Sequence, residues 1–318
     1  MERRICLVLI AVVWMGLAVG ALESIAAEKT IGLMWTTKSG IAKRTAVAFI
    51  ERMREIAPDV KVIERSQLPA GVDVEQVFKD LEGSTDAVVF LRSMGAQFLA
   101  KAPLKGPAFI GACNNPQELG VIKNLASPEG NITGVTYFVP YEQRFEAIRS
   151  LFPRVKSLAL ALERGHPVAP LEQSGTREQC LRLGIAYHEV QASTAKELDA
   201  EMEKVADKVD LFVAGATRLA IDNITVQTTV ANRHNKPIFS YTDGRTKLGA
   251  TAELAANDLK LGRMLAESVV DVVVKGRPVR EVPVKMDPQP ELVINETMVK
   301  ILGLDIPAEI MKKATIVK

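Results

Sequence analysis

Lys123-Asn-Leu-Ala-Ser-Pro-Glu-Gly-Asn-Ile-Thr-Gly-Val-Thr-Tyr-Phe-Val-Pro140 decides how this chain is divided. Ser127-Pro-Glu-Gly130 is turn chemistry, because proline presets one backbone angle and glycine admits a left-handed one. A short β-rich run follows, broken by Gly134 and stopped by Pro140. Such a segment carries a chain out of one compact unit and into another, so the spacing predicts a hinge, and a hinge between two lobes implies a cleft.

Outward from this segment, continuous apolar runs recur at Ile31–Trp35, Ala87–Leu91, Ala108–Ala112, Leu158–Leu162, Leu211–Gly215 and Pro237–Tyr241. Apolar runs without alternation mark parallel strands covered on both faces, and each interval leaves room for a crossover helix. Ile41, Thr45, Phe49, Arg52, Met53 and Ile56 fall at helical spacing behind Ser39, a predicted N-cap. Thr194 and Glu197 predict a capping box, and Leu261, Leu265, Val269, Val272 and Val273 mark one face of a last long helix closed by Gly276 and Pro278. The alternation predicts an α/β protein of two doubly wound parallel-sheet lobes.

The end of the chain, with Gly276-Arg-Pro-Val-Arg-Glu-Val-Pro-Val284, Pro290-Glu-Leu-Val-Ile-Asn295 and Thr297-Met-Val-Lys-Ile-Leu-Gly-Leu-Asp-Ile-Pro307, joins Asn131-Ile-Thr-Gly-Val-Thr136 in a pattern that resembles the substrate-binding proteins of one family of ABC importers. That family includes tryptophan- and tyrosine-binding members. The resemblance covers nearly all of the chain after residue 28. It implies a type I periplasmic binding protein fold with a three-crossing hinge. On that basis residues 28–135 and 249–278 are expected to form the N-terminal lobe, and 136–248 and 279–318 the C-terminal lobe. The resemblance also implies that Asp258, ahead of Leu261-Gly-Arg263, holds the hinge-side helix.

Residues 1–27 combine Arg3 and Arg4, an apolar run from Ile5 to Leu22, and small residues at Ser24-Ile-Ala-Ala27. This is the pattern of a cleaved signal peptide, and it predicts a periplasmic protein. Cys6 lies at the start of that run, too early for lipid attachment, which requires a cysteine that follows the apolar run. Cys113 and Cys180 remain after cleavage and are expected as separate buried thiols in opposite lobes. Lys and Arg number 40 against 38 Asp and Glu, for a net charge of +2 with no basic stripe, so nucleic acid is not an expected partner.

Catalytic groups are sparse. His166, His188 and His234 stand apart, and the chain has no His-Glu-x-x-His, Cys-x-x-Cys or Gly-x-Ser-x-Gly, so neither a metal nor a cofactor is expected. Gly32-Leu-Met-Trp-Thr-Thr-Lys38-Ser39 imitates a phosphate loop, but Thr37 stands where the second glycine must let backbone amides curl round a phosphate.

In open parallel sheets, ligands bind beyond the carboxyl ends of the strands. This selects Trp35, Thr36, Thr37, Arg92, Ser93, Met94 and Asn114 in the first lobe, with Tyr137 at the hinge. Glu163, Thr217, Tyr241 and Asp243 are selected in the second. Trp35 is either a stacking platform or a core residue, and Arg92 either grips a carboxylate or forms a rim salt bridge. Many relatives carry Thr-Asp-Asn where this chain reads Gly215-Ala-Thr217, so the acidic group that would meet a ligand amine is missing there. The reading is a monomeric binding protein that hands a small molecule, such as an aromatic amino acid or other small carboxylate, to an ABC permease. A sensor lobe for a signalling receptor and an exported α/β enzyme are the alternatives.

Overall fold

The computed structural model describes residues 28–318; the predicted signal peptide lies outside the described residues. The first part of the chain runs β1 (Thr30–Thr36), α1 (Gly40–Ile56), β2 (Lys61–Leu68), α2 (Val74–Ser84), β3 (Ala87–Leu91), α3 (Ser93–Leu99), β4 (Ala108–Gly111) and β5 (Ile132–Thr136). The second part continues with α4 (Tyr141–Leu151), β6 (Ser157–Glu163), α5 (Ala169–Leu183), β7 (Ala186–Ala192), α6 (Ala195–Val205), β8 (Leu211–Ala214), α7 (Arg218–Asp222), α8 (Ile224–Arg233), β9 (Ile238–Ser240) and β10 (Ala252–Ala255). The chain closes with α9 (Asp258–Val269), β11 (Lys285–Met286), β12 (Glu291–Asn295), α10 (Glu296–Ile301), α11 (Ala308–Lys313) and β13 (Thr315–Val317).

Two sheets result, in the orders β11-β5-β4-β3-β1-β2 and β13-β12-β10-β9-β8-β6-β7. Every pairing is parallel except β10 with β12. The six apolar runs are all strands, because side chains on both faces are buried. Ile31, Leu33 and Trp35 of β1 pack with Phe49 of α1 and Leu265 of α9, while Met34 faces the core of Phe78, Phe90 and Ile110. The two outer strands β2 and β7 carry no such run, since much of each is exposed.

The lobe boundaries differ from the sequence expectation. β10 pairs with β9 and β12 in the second sheet, and β11 pairs with β5 in the first. The second crossing therefore falls between Ala255 and Asp258, and the third between Met286 and Glu291. Membership is settled by ladder partners, which the four-residue strand Ala252-Glu-Leu-Ala255 and a two-residue strand do not announce. At the first crossing Gly134 has φ +143°, and a Cβ there would lie 2.0 Å from the Ile110 carbonyl oxygen, so only glycine lets β5 approach β4.

Local signals operate as the sequence suggests, except that the capping box is half formed, since the Glu197 carboxylate takes the Ser193 amide at 2.8 Å and not that of Thr194. Ser39 accepts from the Ala42 amide at 3.3 Å, Thr194 accepts from the Glu197 amide at 3.2 Å, and Asn295 caps α10 by accepting from Met298. Asp258 opens α9 and takes Nε and Nη2 of Arg44 at 3.0 and 2.7 Å, tying α9 to α1. Gly262 lets the two helices touch: a Cβ would meet the Thr45 carbonyl oxygen at 2.3 Å.

Candidate functional site

The loops that leave β1, β3 and β4 toward the second lobe each turn through a non-glycine residue with left-handed backbone: Thr37 (φ 56°), Arg92 (φ 78°) and Ala112 (φ 49°). Each such residue costs about 1–3 kcal/mol, and strain of this kind collects at functional sites. Thr36 and Thr37 then hold the Arg92 side chain, whose Nη1 donates to the Thr36 carbonyl at 3.3 Å and to Thr37 Oγ1 at 2.7 Å. Arg92 forms no ion pair with a carboxylate among the described residues, which removes the rim salt-bridge alternative. Burial lowers its pKa, and Tyr137 and Asp222 work in the opposite direction.

Both lobes line one cavity. The first contributes Ser39, Ile41, Arg92, Ser93, Met94 and Ala112, the hinge contributes Tyr137, and the second contributes His166, Ala216, Arg218, Ile221 and Asp222. Its volume is about 30 Å³, against roughly 300–1,000 Å³ for ordinary ligand pockets. Admitting anything of amino-acid size therefore requires the lobes to part.

Glu163 and Thr217 shape the second wall. Glu163 takes Arg218 Nη2 at 2.7 Å and the Leu219 amide at 2.9 Å, and Thr217 Oγ1 accepts from the Glu163 amide at 2.9 Å. Together they fix the start of α7 and the place of Arg218. At the other end of α7, Asp222 makes no ion pair among the described residues; burial raises its pKa, while Arg92, Arg218 and Arg245 pull it down. An acidic group thus faces the cavity although position 216 is alanine. The strand-end rule missed Asp222 because a short helix carries it past the strand, and it missed His166 because a turn after β6 does the same.

Of the residues expected at the site, Arg92, Ser93, Met94 and Tyr137 line the cavity, while Thr36, Thr37, Glu163 and Thr217 stand behind its walls; Trp35, Asn114 and Tyr241 turn away from it. Trp35 is only 2% exposed and sits in the core, its Nε1 without a hydrogen-bond partner, so the core reading of this residue is the one the structure shows. Asn114 and Tyr241 are buried and spend their polar groups on Glu172: Asn114 Nδ2 donates to Oε1 at 2.7 Å, and the Tyr241 hydroxyl donates to Oε2 at 2.5 Å. Oε2 also takes Arg144 Nη1 at 3.0 Å. The Arg144 guanidinium lies 3.8, 4.6 and 5.1 Å from the ring centres of Tyr241, Tyr141 and Phe138. Asn114 belongs to the first lobe and Glu172 to the second, so this network fastens the lobes beside the hinge. Asp243 lies on another part of the seam, where its carbonyl accepts from Arg44 Nη2 at 3.3 Å and its carboxylate stands 3.7 Å from Arg44 Nε.

Cys113 and Cys180 are free and buried, one in each lobe. Among the described residues no group of three or more His, Cys, Asp or Glu side chains could hold a metal ion, and no helix is long and apolar enough to cross a membrane.

Comparison with known proteins gives this arrangement a family. A crystal structure of an ABC domain in complex with L-Trp from Streptococcus pneumonia superposes with a TM-score of 0.82 at 21% identity, covering 92% of this chain and all of that one. A conserved domain protein from Vibrio cholerae gives 0.81 at 21% identity with the same coverage. The tyrosine-binding protein of Clostridioides difficile is 23% identical over 226 residues, 71% of this chain; the match spans 65% of that relative's length. The profile of the family described as ABC transporter substrate binding protein matches residues 45–318. With two α/β lobes around a shared cavity, the chain belongs to the ABC transporter substrate-binding protein family.

Proposed function

We propose that the protein, exported to the periplasm and freed of residues 1–27, is the monomeric solute-binding component of an ABC import system. It captures an aromatic amino acid or a related small carboxylate between its lobes and delivers it to a membrane permease. One observation carries the reading: the interlobe cavity presents a cation, Arg92, and a carboxylate, Asp222, on opposite lobes, neither of them in an ion pair within the described residues. A zwitterion satisfies both at once. Arg92 provides a fork for the carboxylate, and Asp222 replaces the acidic group that position 216 lacks.

Closure follows from the same charges. Contacts from both lobes to one ligand exist only when the cleft is shut, so ligand shifts the hinge equilibrium by the difference in its affinity for the two states. The L-Trp complex and the tyrosine-binding relative support the ligand class. A thermal-shift screen of the mature chain with L-tryptophan, L-tyrosine and their deaminated acids tests it. A ligand at 100 times its Kd should stabilise by about 2.7 kcal/mol. No shift with any of the four, confirmed by calorimetry, would remove this ligand class.

A further inference from the structure

His166 is a cavity residue that the reading above does not use. Its Nδ1 accepts from the Val168 amide at 3.2 Å, so the ring proton must sit on Nε2, which has no protein partner among the described residues. A charged imidazolium would carry a proton on Nδ1 as well and would lose that bond, which shapes the turn after β6. Burial holds the pKa of His166 below its ordinary value; Arg92 and Arg218 push the same way, and Glu163 and Glu172 oppose them. At neutral pH the side chain is therefore an uncharged donor. Across the cavity, Arg92 is tied down through Nη1 alone, leaving Nε and Nη2 without protein partners. Two donors on opposite lobes thus border one space in which, among the described residues, Asp222 is the only lining carboxylate.

We propose that Arg92 and the Nε2–H of His166 form a two-lobed subsite for the ligand's carboxylate, so that a single anionic group is shared across the cleft. The proposal rests on the interlobe cavity being the ligand site, and it adds that His166 is the second lobe's contact with the anion. Asp222 is left for the cationic end of the ligand. Sharing the carboxylate makes closure depend on the acid function, so an amine that lacks it should bind weakly and leave the lobes apart.

Nitrogen NMR of the imidazole rings tests this directly, because the chain has only three histidines and His166→Gln assigns one of them. Mature protein would be titrated with acetate as the minimal carboxylate and with L-tryptophan, L-tyrosine and tryptamine. The expected result is a neutral Nε2–H ring for His166 at pH 7. Its Nε2 resonance should move with acetate and with either amino acid, but neither with tryptamine nor, for acetate, in Arg92→Ala. By calorimetry, His166→Leu should weaken the amino acid tenfold or more, the usual loss for a hydrogen bond to a charged group. His166→Gln, which keeps an N–H donor, should stay within threefold of the native protein. A ring found charged or protonated on Nδ1 overturns the proposal, as does saturation with an amino acid that leaves Nε2 unmoved. If acetate moves His166 while neither amino acid binds, the subsite stands and the aromatic-ligand reading falls. If an amino acid binds without moving His166, the subsite falls and the ligand reading stands. Silence from every probe removes both.

Discussion

Replacing Glu172 by glutamine removes one negative charge and almost no volume. Glu172 is fully buried, Arg144 is 2% exposed, and they are paired at 3.0 Å. Burial works against the charge on Arg144, and the attraction of Glu172, with Tyr241 and Tyr141, more than offsets it. In Glu172→Gln the guanidinium stays buried without a counter-charge, left with the Val139 carbonyl at 2.6 Å, three aromatic faces and the neutral amide oxygen of the new side chain to compensate it. Breaking a buried pair from one side costs about 3–5 kcal/mol. The surrounding rings return up to about 2 kcal/mol only if they approach more closely, because their present contribution exists in both proteins. At roughly 2–3 °C per kcal/mol for a chain of this size, the melting temperature should fall by about 6–15 °C. Calorimetry or urea unfolding of the mature chain measures this. The double variant Glu172→Leu with Arg144→Met should recover part of the loss, since it removes both charges but strands the Asn114 and Tyr241 donors at about 1–3 kcal/mol each. A loss below about 1 kcal/mol in Glu172→Gln would mean that the pair is solvated in solution and not buried.

Further predictions follow from other packed contacts. Gly262→Ala should destabilise by about 1–3 kcal/mol by forcing α1 and α9 apart, measured by urea unfolding; a neutral result would mean the helices slide freely. Burial pushes the thiols of Cys113 and Cys180 up to about 12, so neither should react with a thiol reagent in native protein at pH 8, while both should react after unreduced denaturation of a chain lacking residues 1–27. Burial likewise pushes the Asp258 carboxyl up to about 7, against the pull of Arg44. A folded value above the unfolded one means that its contribution to stability is present below about pH 4 and is lost as pH rises through 7. The stability of the native protein relative to Asp258→Asn should therefore decline from pH 4 to pH 7, and a difference that does not change with pH would show that the carboxyl ionises normally.

The buried half of the fold is legible in the sequence because strands covered on both faces leave unbroken apolar runs, as β3 and β8 do. β2 and β7 are not legible: exposed edges permit Lys61, Glu64 and Arg65, or Tyr187, His188 and Glu189, to stand in a strand. The hinge segment is visible in Gly134 and Pro140, yet the later crossings depend on which ladder β10 and β11 join. At the site, strand ends point to Arg92, Ser93, Met94 and Tyr137, all of which line the cavity. Trp35, Asn114 and Tyr241 satisfy the same rule but turn inward, because burial of a large ring and the partner Glu172 on a distant helix decide their direction. Asp222 and His166 reach the cavity through a helix and a turn, whose aim no strand pattern records.

Lobes that close on a ligand gripped from both sides must draw together when it binds. Small-angle X-ray scattering of the mature chain, with and without a ligand whose binding calorimetry has established, tests this most directly. A smaller radius of gyration is expected with ligand in the native protein, and little or no contraction in the Arg92→Ala, Asp222→Ala double variant at the same ligand concentration. A saturated native protein with an unchanged radius of gyration, or a double variant that binds and contracts as the native protein does, would contradict this closure.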